Sequence, residues 1–273
     1  MIVNKVWAMY FSATGTTRKV VEHIAGAIGE KIHSDISIID FTLPDARKEK
    51  HIFGAEDLVV FGTPVYAGRV PNVLLPFLKE KIEAKGAIAI PVVLFGNRAY
   101  DDALIELRNI LEADGFYAIA AGAFVGEHSF SRKLAAGRPD MKDMLAAGEL
   151  AEIALKRIAE VAQATDKPVH LKGEEPLRPY YTPRDRKGEP VNILKVKPKT
   201  NDGCTKCGIC ARICPMGSIS HEDVSSVEGI CIKCGACIKK CPVAAKYFDD
   251  EGYLYHLHEL EEAYSRRAEP EIF

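Results

Sequence analysis

All eight cysteines of the 273-residue chain lie in two short runs, CTKCGICARICP at 204–215 and CIKCGACIKKCP at 231–242. Each run has the spacing C-x2-C-x2-C-x3-C-P, which is typical of [4Fe–4S] ligation in bacterial proteins. Three closely spaced thiolates bind one face of a cubane cluster, and the fourth cysteine of each run reaches the other cluster. The spacing therefore predicts two [4Fe–4S] clusters with crossed ligation.

The crossed rule assigns every cysteine to a cluster. One cluster takes Cys204, Cys207, Cys210 and Cys241, and the other takes Cys231, Cys234, Cys237 and Cys214. Gly208 and Gly235 lie between ligands, where the backbone must turn tightly. A disulfide framework and a zinc site are the alternatives, but zinc uses four ligands in two separated pairs rather than two matching quartets. The stretch from about 200 to 248 resembles the two-cluster bacterial ferredoxins at all eight ligand positions.

The first 165 residues alternate between apolar runs and helical patterns. Helical spacing relates Val20, Ile24 and Ile28, and further helices are predicted near 72–84, 101–114 and 141–164. Five strands are predicted at 6–11, 35–41, 57–64, 88–97 and 117–126. Continuous apolar runs are typical of strands covered on both faces. The alternation predicts an α/β fold with a doubly wound, five-stranded parallel sheet and helices on both faces.

Ligands of such sheets bind at the carboxyl ends of the strands. After the first strand comes SATGTTR at 12–18, a hydroxyl-rich loop that leads into a helix N-terminus. Free N–H groups and the helix dipole favour an anion there, and the hydroxyls can donate to phosphate oxygens. Neither a P-loop nor a GxGxxG fingerprint occurs at this turn. The loop therefore indicates a phosphate site, with a plain helix cap as the alternative.

SATGTT after an opening strand resembles the phosphate loop of flavodoxins, which bind FMN. The resemblance covers residues 1 to about 165 and adds two loops, TPVYAG at 63–68 and GNRAYD at 96–101, that flank the isoalloxazine in flavodoxins. The tryptophan common in the second loop is missing here. The cofactor-binding residues it implies are Ser12, Ala13, Thr14, Gly15, Thr16, Thr17, Thr63, Pro64, Val65, Tyr66, Ala67, Gly68, Gly96, Asn97, Arg98, Tyr100 and Asp101.

His128 is a further candidate, for flavin binding or for catalysis. It lies in GEHSFS, after the fifth strand and hence at the ligand-facing edge of the sheet. A loop histidine without chemistry is the alternative. Tyr66, Tyr100 and Arg98 have a similar alternative as surface residues.

The predicted domain order is a flavodoxin-like FMN domain at 1–165, a connector at 166–199, a small α+β two-cluster ferredoxin domain at 200–248 and a tail at 249–273 that forms a short helix. The connector contains six of the fifteen prolines, which indicates a stiff segment rather than a flexible tether. The whole chain resembles flavodoxin–ferredoxin fusion proteins of anaerobic bacteria and archaea.

This resemblance implies low-potential electron transfer that converts two-electron and one-electron carriers. The alternatives are an FMN-dependent reductase of a quinone or nitro compound, with a pocket formed by 126–140, and a redox-sensing module. We expect redox partner proteins of the ferredoxin or oxidoreductase type, with a homodimer left open. The formal charge of −2 argues against nucleic acid. No apolar stretch reaches the length of a membrane span and no signal peptide precedes the first strand, so we expect a cytoplasmic protein.

Overall fold

The computed structural model describes residues 2–160 and 168–273. Its main sheet has the strand order β2-β1-β4-β6-β8, all parallel, so that the chain winds in both directions from β1. The strands of the first half are β1 (Lys5–Tyr10), β2 (Ile36–Asp40), β3 (His51–Phe53), β4 (Asp57–Pro64), β5 (Ile82–Ala84), β6 (Ile88–Phe95), β7 (Tyr117–Ala118) and β8 (Gly122–Val125). This order confirms the predicted doubly wound sheet.

Helices cover both faces of this sheet, as predicted. They are α1 (Thr16–Ile32), α2 (Leu75–Lys81), α3 (Ala103–Ala113) and α4 (Met141–Glu160), with 3-10 turns at Asp45–Arg47 and Asn72–Leu74. On one face α1 and α4 share an apolar core with β1, β4 and β6. On the other face α2 and α3 pack a second core that is rich in phenylalanine. The strands β4 and β6 are buried almost throughout because both faces are covered.

Two elements differ from the predicted boundaries, and the end of a third cannot be compared. The helix predicted at 72–84 ends earlier, since Ile82–Ala84 forms β5 and pairs with β3; Ile82 and Ala84 point inward and Glu83 outward, which is a strand alternation. The fifth strand is split into β7 and β8. The last four residues of the helix predicted at 141–164 lie outside the described residues, as does the predicted domain boundary at 165.

The cysteine-containing region consists of two similar halves that are 27 residues apart in sequence. Each half has a short helix, α5 (Ile209–Arg212) or α6 (Ala236–Lys239), and a two-residue strand, β9 (Lys199–Thr200) or β10 (Lys246–Tyr247), which pair antiparallel. Gly208 and Gly235 begin the helices with φ of 74° and 73°, in the left-handed region that favours glycine. This arrangement is a small α+β domain.

The C-terminal tail returns to the first half of the chain. After α7 (Glu251–Ala263), the strand β11 (Glu271–Ile272) pairs antiparallel with β8 and extends the main sheet. We predicted only a short helix here. A two-residue strand is too short to show an alternating pattern, and its pairing with β8 spans about half of the chain.

The first part of the proline-rich connector, residues 169–181, packs on the first domain. Leu171 is buried in the phenylalanine-rich core. Arg178 makes an ion pair of 2.6 Å with Asp102, which is fully buried at the start of α3. The Tyr180 hydroxyl donates to the carbonyl of Val70 at 2.8 Å. The connector is thus held by side-chain contacts as well as by proline. Within the described residues no helix is long and apolar enough to cross a membrane.

Candidate functional site

A cavity of about 470 Å³ opens at the carboxyl ends of β1, β4, β6 and β8. It is lined by Ala13, Thr14, Thr16, Thr17, Pro64, Val65, Tyr66, Leu94, Phe95, Gly96, Gly126, Glu127, His128, Ser129 and Cys234. The three predicted loops therefore meet at one edge of the sheet, together with a cysteine from the second domain.

The loop after β1 supplies three threonines to this cavity, at the N-terminus of α1. Gly15 precedes the helix with φ of 99°, and a side chain there would meet open space. Ser12 lies outside the lining; its hydroxyl accepts the Arg18 N–H at 3.0 Å and so caps the first turn. Unpaired helix N–H groups beside hydroxyls form an anion site, and the lining contains neither lysine nor arginine. The loop fits a phosphate group bound without a counter-cation.

The loop after β4 lines the opposite wall through Pro64, Val65 and Tyr66. Ala67 and Gly68 lie outside the lining and form a tight turn, with φ of 53° and 76°, which the backbone pair Tyr66–Arg69 closes. The Thr63 hydroxyl at the end of β4 is buried and has no hydrogen-bond partner among the described residues. An unpartnered buried polar atom of this kind is costly, but Thr63 lies outside the cavity lining.

The loop after β6 contributes less than predicted. Gly96 lines the cavity, whereas the Asn97 side chain is buried and holds the tail, donating to the Tyr264 and Arg266 carbonyls at 2.7 and 2.6 Å. Arg98 pairs with Asp101 and stacks on Tyr181 of the connector.

Tyr100 also lies outside the cavity lining. It is buried, and its hydroxyl donates to Glu271 of β11 at 3.0 Å. The tail and connector thus contact the side chains of Asn97, Arg98 and Tyr100, whereas Asp101 pairs with Arg98 of the same loop. No local sequence pattern signals these long-range contacts.

His128 does line the cavity, and it is neutral. Burial lowers its pKa to about 4, and the charges of Lys239, His256 and Arg98 act in the same direction. Its Nδ1 accepts the Phe130 N–H at 3.1 Å, so the imidazole proton is on Nε2. The neighbouring residues Gly126, Glu127 and Ser129 also line the cavity. They belong to the 126–140 segment that the reductase alternative expects to form a pocket.

The eight cysteines surround two further cavities in the quartets that crossed ligation requires. One cavity, of about 310 Å³, is lined by Cys204, Cys207, Cys210 and Cys241; we call it the outer cluster site. The other, of about 400 Å³, is lined by Cys214, Cys231, Cys234 and Cys237; we call it the inner cluster site. In each the fourth cysteine comes from the other run.

The chemistry of both sites fits an iron–sulfur cube rather than disulfides or a single ion. All eight cysteines are free thiols. Within residues 2–160 and 168–273, no three histidine, cysteine or acidic side chains are close enough together to hold one metal ion. Matching N–H groups point at the crossing cysteines, from Ser218 to Cys214 Sγ at 3.4 Å and from Ala245 to Cys241 Sγ at 3.2 Å. Such N–H···S bonds stabilise thiolates.

The thiols of the inner cluster site are strongly shielded. Burial raises the pKa of Cys234 to about 12 and raises that of Cys237 further. By contrast the pKa of Cys241 in the outer cluster site is lowered, because although burial raises it, three backbone N–H groups and the Lys246 charge outweigh that effect. Burial raises the pKa of Cys210 in the outer site as well, and cluster binding deprotonates thiols of this kind.

The inner cluster site lies against the first domain. The backbone of Gly235 approaches the Ser129 carbonyl so closely that a Cβ there would lie 2.3 Å from its oxygen. Lys239 of α6 reaches into the 127–131 loop, where it pairs with Glu127 at 2.5 Å and donates to the carbonyls of His128 and Ser131 at 2.7 and 2.9 Å. Phe130 packs on Tyr253 of α7, with ring centroids 4.8 Å apart. These contacts dock the two domains at the cavity edge.

Cys234 connects the two sites. It lines the inner cluster site and also the cavity at the carboxyl edge of the sheet, facing the loop that contains Tyr66. Burial raises the pKa of the Tyr66 hydroxyl, and the charges of Cys234 and Cys231 raise it further. Tyr66 therefore lies within electrostatic reach of two predicted cluster ligands.

Comparison with known protein families agrees with this geometry. The model of a flavodoxin domain matches residues 8–108, and the model of a 4Fe-4S binding domain matches residues 201–217 and 228–245. The chain joins a flavodoxin domain to a ferredoxin-type domain. Its cofactors are FMN and two [4Fe–4S] clusters, and its role is redox electron transfer. The predicted fusion and its cofactors are confirmed; the individual ligand residues stay predictions.

Several solved structures are similar to the flavodoxin domain of this fusion. A flavodoxin from the domain Archaea is 18% identical with a TM-score of 0.42, and the match covers 56% of this chain and 99% of that one. A Fusobacterium nucleatum flavodoxin bound to flavin mononucleotide is 16% identical with a TM-score of 0.38, and covers 56% and 98%. Rubredoxin oxygen:oxidoreductase from Desulfovibrio gigas is 17% identical with a TM-score of 0.38, and covers 59% and 38%. The search of curated proteins gave no match.

Proposed function

We propose that this protein transfers electrons between FMN in the flavodoxin domain and the [4Fe–4S] cluster of the inner site, and that the outer cluster exchanges single electrons with partner proteins. The observation that carries the proposal is the position of Cys234. One residue lines both the FMN cavity and the inner cluster site. A ligand of the inner cluster therefore forms part of the wall around the flavin.

In this proposal Thr14, Thr16 and Thr17 donate to the FMN phosphate, together with the first N–H groups of α1. Pro64 to Tyr66 and Gly96 flank the flavin ring, and His128 Nε2 is a neutral donor at the cavity wall. When bound, FMN exchanges two electrons and each cluster exchanges one, which lets the chain convert between the two kinds of carrier.

Domain docking is the contribution of the polypeptide to transfer. Lys239 fixes α6 to the 127–131 loop by an ion pair and two carbonyl contacts. On the other side of the inner site, Arg47 of the flavodoxin domain donates to the Pro215 carbonyl at 2.6 Å. The tail adds a third tie, since β11 pairs with β8. These ties on different elements hold the ferredoxin domain and the tail against the flavodoxin domain.

The outer cluster site faces solvent, which suits exchange with a partner. Cys207 is exposed, as are the lining residues Thr205, Pro242 and Val243. A small apolar surface over a cluster allows a redox protein to approach closely and to leave again. Partner proteins of the redox class are therefore part of the proposal, whereas the identity of the donor and the direction of flow are not.

Rapid reduction of the native chain tests the function. The anaerobically purified protein should contain about eight irons, eight sulfides and one FMN per chain. After flash reduction of the clusters, flavin bleaching should follow as a first-order process whose rate is independent of protein concentration. A rate that rises with protein concentration, or no bleaching with all cofactors present, would contradict transfer within one chain.

The reductase alternative requires a substrate pocket formed by residues 126–140. Much of that segment contacts the ferredoxin domain instead, through residues 127, 128, 129, 131 and 132. Steady turnover of a quinone or nitro compound at a rate matching cluster oxidation would favour the reductase over a carrier.

A further inference from the structure

Lys246 is a buried ammonium group inside the ferredoxin domain. It lies in β10 with only 3% of its surface exposed, and it lines the outer cluster site. Its Nζ donates to the Val224 carbonyl, and Val224 lines the same site. Lysine is almost never buried without a counter-charge, so this position calls for an anion close by.

No carboxylate fills that role among the described residues. Every salt bridge found within residues 2–160 and 168–273 involves a cation other than Lys246. Asp223 feels the Lys246 charge at longer range, but its pKa is lowered first by Ser225 and then by Lys206. An ammonium held only by a carbonyl bears a desolvation cost of several kcal/mol.

Lys246 lies at the outer cluster site and not at the inner one. It shares the lining of the outer site with all four of its cysteines, Cys204, Cys207, Cys210 and Cys241. The lining of the inner site does not include it. The positive charge of Lys246 therefore lies beside the ligands of one cluster.

The internal repeat shows that the fold does not require this lysine. The residue 27 positions earlier is Ile219, which is also 3% exposed and lines the inner cluster site. An isoleucine and a lysine thus occupy equivalent buried positions in the two halves. Packing alone is satisfied by the apolar residue, so the ammonium has a role beyond filling space.

We infer that Lys246 is the counter-charge of the outer cluster and raises its reduction potential. The inference rests on the cluster assignments of the proposed function. Each cluster takes up one electron on reduction and becomes more negative by one charge. A fixed positive charge in a poorly solvated position favours the more negative state, and no proton or further reactant is needed.

Three substitutions separate charge from packing and hydrogen bonding. Lys246→Met keeps the length but removes the charge, Lys246→Gln keeps a donor for the Val224 carbonyl, and Lys246→Arg keeps the charge. The matched control is Lys206→Met, an exposed lysine beside the outer cluster ligands. Each protein is titrated anaerobically against a set of applied potentials, with the reduced clusters followed by EPR.

We expect Met and Gln at position 246 to lower the potential of the outer cluster. At a fixed applied potential the ratio of reduced to oxidised outer cluster should fall about tenfold, equivalent to about 59 mV for a one-electron couple. The inner cluster should shift less, because Lys246 does not line its site. Arg at position 246 keeps the charge and should stay within about twofold. The Lys206 control should stay within the same range, since exposed charges are screened.

Four outcomes decide the matter. Unchanged potentials in the Met and Gln variants would overturn the inference, as would an equal shift in the Lys206 control. Failure of Met and Gln to take up iron while Arg loads normally would support it, since charge would then be required to hold the clusters. Equal failure of all three would overturn it. Potentials are measured without reference to FMN, so this test is independent of the rate of transfer within the chain.

Discussion

The two halves of the ferredoxin domain share one motif but have different surroundings. Cys207 and Cys234 are equivalent across the 27-residue repeat, yet Cys207 is exposed and Cys234 is buried against the flavin cavity. Arg212 and Lys239 are equivalent as well. Arg212 donates to the Cys207 carbonyl of its own half, whereas Lys239 reaches into the flavodoxin domain.

This difference shows that the cysteine motif determines cluster binding, whereas the residues around it determine the environment of each cluster. Cysteine spacing determines that a cluster binds, and it does so equally in both halves. The side chains between the cysteines determine what lies next to the cluster. The half that contains Cys234 contacts the flavodoxin domain, and the half that contains Cys207 faces solvent. Equivalent residues in the two halves therefore give matched pairs of variants.

The largest effect is expected from Thr14→Glu, which should prevent FMN from binding to the flavodoxin domain. A carboxylate at the helix N-terminus would occupy the anion site, and loss of one hydrogen bond to a charged group costs about 1.5–3 kcal/mol before repulsion is counted. FMN affinity should fall at least about 100-fold. Flavin fluorescence titration measures it, with the exposed Thr182→Glu as control. Unchanged affinity would place the phosphate elsewhere, and loss of iron would show that the domains do not load independently.

The next effect comes from the equivalent glycines. Gly235→Ala and Gly208→Ala both place a side chain at positive φ, at a cost of about 1–2 kcal/mol each. Only at Gly235 does the new Cβ meet backbone of the flavodoxin domain, 2.3 Å from the Ser129 oxygen; at Gly208 it meets the end of the Arg212 side chain at 2.9 Å. Overpacking adds about 1–3 kcal/mol at Gly235 alone. Flavin bleaching after cluster reduction should slow in Gly235→Ala and not in Gly208→Ala. Equal slowing in both variants would show that contact between Gly235 and the flavodoxin domain does not affect transfer.

Lys239→Met should weaken domain docking by about 1–3 kcal/mol, because Glu127 and two carbonyls lose their buried partner. Amide hydrogen exchange of residues 126–131 should accelerate accordingly. The matched variant Arg212→Met removes an exposed contact within one half and should leave that exchange unchanged. Protection that survives in Lys239→Met would mean that this lysine does not hold the domains together.

The smallest effect concerns pH. His128 has a folded pKa of about 4, against about 6.5 when unfolded, so the unfolded chain binds more protons between these values. Stability should therefore fall as pH falls, by about 1 kcal/mol between pH 7 and 5.5. Burial lowers the pKa of His256 as well, which adds a slope of the same sign. Urea denaturation should show a shallower slope in His128→Gln, and an unchanged slope would show that His128 is not shielded.

The sequence predicted the parts of this molecule that depend on local pattern. Cysteine spacing predicted the two-cluster domain, and apolar runs predicted the parallel strands and their helices. Four residues of the hydroxyl-rich loop, Ala13, Thr14, Thr16 and Thr17, line the cavity at the carboxyl edge of the sheet. Each of these signals is a pattern within a short segment of the chain.

The contacts that bring the two domains together could not be predicted in the same way. Asn97 binds the tail across 167 residues and Lys239 binds Glu127 across 112. Nothing in the local sequence of a polar loop residue distinguishes a ligand donor from a partner for a distant backbone. The strand β11 could not be predicted either, because a strand of two residues is too short to show an alternating pattern of apolar and polar residues.

The central claim is that the inner cluster, and not the outer one, exchanges electrons with FMN. The direct measurement compares Cys207→Ala with Cys234→Ala, equivalent ligands in the two halves, with EPR used to establish which cluster remains. After flash reduction of the remaining cluster, the Cys207 variant should still bleach its flavin in a first-order process, and the Cys234 variant should not. Retained bleaching in the Cys234 variant together with its loss in the Cys207 variant would contradict the account.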